Sequence, residues 1–200
     1  MRVTQEGCTL NDRWLAAARR AARAEAEAVK DVSGSIDDSL ARAVVLILGS
    51  GSKVVVMGVG QYGLCAQLIA RCLCDTGTPA VFLHPSEARH GGMGVYSKGD
   101  PTVLVSGGGP CDDLMELTPN LRKVDSPIIG ILTDPASPLR DVCEVCLDVS
   151  PGRGLRRAGV AQGDAGFGLA AAVMGYALAA ALAAACKVGL GTPLAGVADI

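Results

Sequence analysis

Very little net charge is left on this chain: 20 Asp and Glu stand against 18 Lys and Arg over 200 residues, a formal charge of −2. Such a balance offers no electrostatic attraction to a nucleic acid or an anionic membrane, so neither is expected as a partner. No basic segment followed by an apolar run opens the sequence, so no secretion signal is expected and the implied location is cytoplasmic. Reduced thiols are then the default for the 8 cysteines. Cys143-x-x-Cys146 has the spacing of half a zinc site, but no second Cys or His pair lies at ligand spacing, so no metal is expected. Around that pair, the apolar stretch Val142–Val149 reads as a strand with small buried thiols. Internal repeats, low-complexity linkers and breaks in composition are also lacking. One domain over residues 1–200 follows, long enough for a sizeable core.

Charge is absent altogether from Ala165 to Cys186, a run long enough to cross a bilayer. It is mostly alanine, with Gly166, Gly168 and Gly175, and alanine gains little from lipid. A helix buried against a sheet or a partner subunit is therefore expected, and no membrane span.

What is present is a half-hydrophobic composition in which strand-like and helical runs alternate. That alternation argues for an α/β fold: a doubly wound, five-stranded parallel sheet with helices on both faces. A helical N-terminal segment spans about 10–48, as Leu10–Val32 and Ile36–Leu48, and the sheet-bearing core about 53–186. Strands are expected at Lys53–Gly58, Ala80–Leu83, Thr102–Ser106, Pro127–Thr133 and Val145–Val149. Helices are expected at Gln61–Thr76, from near Ser86, from an Asp112 or Asp113 cap to Lys123, and at Leu139–Val142, before the alanine-rich one. A ligand belongs beyond the carboxyl ends of the strands.

Three loops leave those ends. In the first, Gly58-Val-Gly60-Gln61-Tyr62-Gly63, glycines at a strand-to-helix junction let backbone N–H groups approach an anion. The same text fits a dinucleotide fingerprint, but Leu83-His84 stands where an acidic residue should hold the ribose, so no cofactor is expected. The second loop, His84 to Gly92, carries both histidines. Glu87 and His90, three apart, share a face of a helical turn. A carboxylate beside an imidazole sets its tautomer and raises its pKa, which suits His90 to proton transfer. For His84, next to Pro85, capping or packing is the preferred reading. In the third loop, Ser106, Gly107, Gly108 and Gly109 before a helix form either another anion nest or a flexible turn. Cys111 stands at that helix start, where thiols are activated, but Asp112 and Asp113 oppose a thiolate.

These loops resemble those of arabinose-5-phosphate isomerases, within the SIS (sugar isomerase) domain family. Val54-Val-Val-Met-Gly-Val-Gly60 is similar to the family's opening strand and glycine loop. Thr76-Gly-Thr-Pro-Ala80, then His84-Pro-Ser-Glu-Ala88 and His90-Gly91, match the segment after the next helix, the most specific part. Asp134-Pro-Ala-Ser-Pro-Leu139 and Val173-Met-Gly175 also fall in place. The resemblance covers about Lys53 to Ala185, and the regulatory tandem domains that often follow in that family are not expected here. It implies a phosphorylated sugar as ligand and a homodimer or homotetramer.

Departures from the family pattern fall in the first loop, in the third loop and downstream of the fifth strand. Gln61 stands for a lysine and Tyr62 for a phosphate-binding serine. Ser106-Gly-Gly-Gly109-Pro110 replaces Ser-Asn-Ser-Gly-Glu, and Arg156 aligns with a second glutamate. Gly189–Ile200 has no His-Pro-Gly-Gly motif. His90 is the catalytic residue that carries over, with Glu87 orienting it, while Gly58, Gly60, Gln61, Tyr62, Ser106, Gly107, Gly108, Gly109 and Arg156 are expected around the substrate. Each lost charged donor removes about 1.5–3 kcal/mol of anion binding; Arg156 and Arg157 are candidates to replace that charge, although a solvated loop face is the preferred reading for both. Three readings follow: an isomerase-like enzyme that moves a proton next to a carbonyl, a non-catalytic binding or regulatory module, or an enzyme repurposed for another substrate through Tyr62, Cys111 or Asp112.

Overall fold

The structure, a computed structural model, describes residues 6–50, 53–107, 111–149 and 167–186, without the side chains of 6–11 and 167. Five strands form one parallel sheet: β1 (Val54–Gly58), β2 (Ala80–Phe82), β3 (Thr102–Ser106), β4 (Ile128–Leu132) and β5 (Val145–Asp148). Their order is β2-β1-β3-β4-β5. All residues of β1, β3 and β4 are buried, as expected of central parallel strands covered on both faces.

Side-chain alternation divides the core in two. Val54, Val56, Val103, Val105, Ile129 and Ile131 face one layer, made of α2 (Asp38–Ser50), α3 (Gly60–Asp75) and α7 (Phe167–Ala185). Val55, Met57 and Leu104 face the other, made of α4 (Pro85–Arg89), α5 (Asp112–Met115) and α6 (Thr118–Lys123). Helix α7 is long and apolar enough to span a membrane, yet it docks on α3, and Ala170, Ala171, Met174, Leu178 and Leu182 are buried in the fold. This is the buried helix expected from the sequence.

Helix α1 (Glu6–Ser35) is longer than its packing requires. Ala24, Ala28 and Val32, spaced four apart, are buried, whereas Trp14 and Leu15 are exposed. The helix expected from Asp112 to Lys123 is broken into α5 and α6. Pro119 lacks an N–H and its ring collides with the carbonyl one turn back, so α6 starts afresh, with the Thr118 hydroxyl donating to the Met115 carbonyl at 2.8 Å. Neither aspartate caps α5; Cys111 occupies that position without a side-chain cap. The helix expected at Leu139–Val142 is a 3₁₀ turn, Pro138–Asp141, in which the Leu139 amide donates to the Ser137 hydroxyl.

Candidate functional site

The chain runs from β1 outward to β2, then crosses back to place β3 on the far side of β1. The order therefore reverses between β1 and β3, and the crevice expected at their carboxyl ends is the usual ligand position in such sheets. Gly58 ends β1, and a Cβ on it would lie 2.5 Å from the Tyr62 carbonyl oxygen, so the strand end and α3 meet too closely for any side chain. Gly60 opens α3 with φ 58°, a left-handed conformation that glycine adopts freely. Val59 provides no side-chain cap and the first turn of α3 holds no acidic residue, so neither offsets the positive end of that helix. Gln61 is half-buried beside it.

Tyr62 is turned inward, with 7% of its surface exposed. Its ring lies over Gly107, where a Cβ would overlap Tyr62 Oη, Cζ and Cε2. The phenol and Thr133 Oγ1, just past β4, share a hydrogen bond of 3.3 Å. The first and third loops thus meet through this ring. Ser106 is 8% exposed and its hydroxyl donates to the Gly107 carbonyl at 3.5 Å. Gly108, Gly109 and Arg156 lie outside the described residues. Cys111 is buried, and desolvation pushes its thiol above the ordinary range, which makes it a poor nucleophile.

The second loop leaves β2, the neighbour of β1. His84 caps α4: its Nδ1 accepts from the Ser86 amide at 3.2 Å and sits 2.7 Å from the Ser86 hydroxyl. Its ring also meets Phe82 edge-on. His90 closes the same helix, its amide donating to the Glu87 carbonyl at 3.0 Å, and Gly91 turns the chain away with φ 102°. Both His90 and Glu87 are exposed. Among the described residues, no hydrogen bond joins the Glu87 carboxylate to the His90 ring; the two are linked through backbone.

Two contributors carry no role in the sequence reading. Arg89, adjacent to His90, forms ion pairs of 2.9 Å with both Asp113 and Glu116, which fastens the histidine loop to α5. Thr133 is identifiable in the sequence only as a residue at a strand's carboxyl end. Among the described residues, no three of His, Cys, Asp and Glu converge as metal ligands. Burial pushes the Cys143 thiol up to about 12, as befits a thiol packed into the layer of α4, α5 and α6. The site therefore combines a filled crevice with an open imidazole loop beside it.

A model of the SIS domain matches residues 47–163. Arabinose 5-phosphate isomerase KdsD of Pseudomonas aeruginosa is 35% identical over 140 residues, which is 70% of this chain and 43% of that protein. The Francisella tularensis protein of the same name is 35% identical over 64% of this chain and 40% of its own length. The chain thus spans less than half the length of these curated relatives. Among solved structures, an Escherichia coli protein in complex with arabinose 5-phosphate superposes with a TM-score of 0.79 at 27% identity, covering 90% of this chain and 94% of that one.

Proposed function

Because the chain belongs to the SIS domain family, we propose that it is a sugar-phosphate isomerase-like protein whose turnover of arabinose 5-phosphate is weak. The supporting observation is the His84–Gly92 loop, which keeps the family text and stands open beside the β1–β3 crevice. In this reading His90 takes the proton from the carbon next to the carbonyl, and Glu87, exposed on the same turn and not bonded to the ring among the described residues, is the carboxylate proposed to orient it. Gly58, Gly60, Gln61, Ser106 and Gly107 line the binding end, with Gly108, Gly109 and Arg156 contributing from the adjoining loops. Residues 1–200 act as one domain in a cytoplasmic setting. The weakness follows from the lost lysine and glutamates and from the buried Tyr62.

A thermal-shift screen of pentose, hexose and heptose phosphates beside their unphosphorylated forms tests the reading. A ligand at about 100 times its dissociation constant adds about 2.7 kcal/mol of stability. Interconversion of arabinose 5-phosphate and ribulose 5-phosphate is expected below about 1 per second; ordinary enzymatic rates, about 1–1000 per second, would refute the weakness. The filled crevice also favours a second reading, a binding or regulatory module without turnover, which stabilisation by a sugar phosphate with no conversion would support.

The assembly belongs to the same proposal. Trp14 on α1, Leu64 and Leu68 on α3, and Leu169 and Tyr176 on α7 are exposed, an apolar surface that a homodimer or homotetramer would cover. Light scattering coupled to size exclusion should give at least twice the monomer mass of 20.3 kDa; a sharp monomer peak at micromolar concentration would contradict it.

A further inference from the structure

The geometry points to Tyr62 as the residue that keeps phosphate out of the β1–β3 crevice and so sets how weakly this chain holds a phosphorylated ligand. It deepens the functional proposal, because it rests on the reading that a phosphorylated sugar is the ligand at this end of the sheet.

A doubly wound sheet offers its ligand seat where the strand order reverses, which here lies between Gly58 and Ser106. The groups around that seat suit an anion: α3 starts there with no acidic residue in its first turn and no side-chain cap. The space, however, is taken. The Tyr62 ring crosses from α3 to the third loop, is 7% exposed and ends at Thr133, so it bridges the ends of β1, β3 and β4. Gly107 leaves it room, since any side chain there would collide with the ring. A neutral aromatic ring in that position offers an anion no charge and excludes it sterically. Moving the ring out would break the Thr133 contact and expose a large apolar surface to water. Among the described residues, the ring thus occupies the strand-end space between Gly58, Gly107 and Thr133 that a phosphate would otherwise enter.

Calorimetric titration of inorganic phosphate, and separately of arabinose 5-phosphate, into wild type, Tyr62→Ser and Tyr62→Phe tests this. Tyr62→Ser, folded by circular dichroism, should bind inorganic phosphate about tenfold or more tightly than wild type. Tyr62→Phe keeps the ring and should match wild type. Equal phosphate affinities in wild type and a folded Tyr62→Ser overturn the inference. If Tyr62→Ser does not fold, wild type decides alone: no rise in melting temperature with millimolar inorganic phosphate supports the closed crevice, and a clear rise overturns it. The sugar arm separates this inference from the functional reading. A gain in phosphate binding by Tyr62→Ser, with no arabinose 5-phosphate bound by any form, leaves Tyr62 standing and removes the reading. Conversion of arabinose 5-phosphate by wild type, with no gain in Tyr62→Ser, does the reverse.

Discussion

The loop after β1 and the loop after β2 leave neighbouring strands at the same end of the sheet, yet one is filled from within and the other faces solvent. In the first, Gly58 and Gly60 remain but the side chains that follow have changed, and Tyr62 packs onto Gly107. In the second, His84 caps its helix, Ala88 anchors the turn in the core, and Glu87 and His90 stay exposed. A backbone scaffold can thus persist while its binding surface is rebuilt, and the rebuilding stays local because each loop is held by its own strand end. Fold and chemistry part company at single side chains.

The largest effect is expected on the open side, at His90. Replacement by Ala should lower turnover of any verified sugar-phosphate substrate by about 100-fold or more, since a positioned general base contributes about 10²–10⁴-fold. The residue is exposed, so the melting temperature should hardly move. An unchanged rate would remove the histidine from the chemistry.

On the filled side, Gly107→Ala should destabilise the protein by about 1–3 kcal/mol, the usual cost of overpacking. The same change in a Tyr62→Ser background should cost clearly less, because the clash partner is gone. Denaturant melts of the four proteins give the coupling directly, and additive costs would mean that ring and glycine do not meet. A smaller effect is expected at the link between the loops. Arg89→Ala removes two partly exposed ion pairs and should cost no more than about 1 kcal/mol in the same melts. A loss of several kcal/mol would make Arg89 a structural pillar and not a surface tie.

How far the sequence anticipates this structure depends on whether the signal is local. β3 runs from Thr102 to Ser106 as expected, because a β-branched and apolar run between Pro101 and a glycine allows little else. The order of elements follows from the same alternation. The helix expected to reach Lys123 breaks at Pro119, a local breaker that outweighs the helical pattern around it. The capping role of His84 is readable from Pro85 after it. The inward turn of Tyr62 is not, since a lone tyrosine in a helix's first turn carries no periodic mark. That it meets Gly107 and Thr133 is a tertiary fact about positions 45 and 71 residues away. Arg89 stays hidden for the same reason, because its partners sit on another element.

An open histidine loop that still moves a proton next to a carbonyl, although the neighbouring crevice is closed, leaves a direct signature. Proton magnetic resonance in deuterium oxide reads it, by following the C2 hydrogen of arabinose 5-phosphate or of another aldose phosphate that stabilises the protein. Wild type should replace this hydrogen with deuterium faster than buffer does, even where net isomerisation is slow, and His90→Ala should not. A bound sugar phosphate whose C2 signal stays intact with wild type would contradict this chemistry and leave a binding module in place of an enzyme.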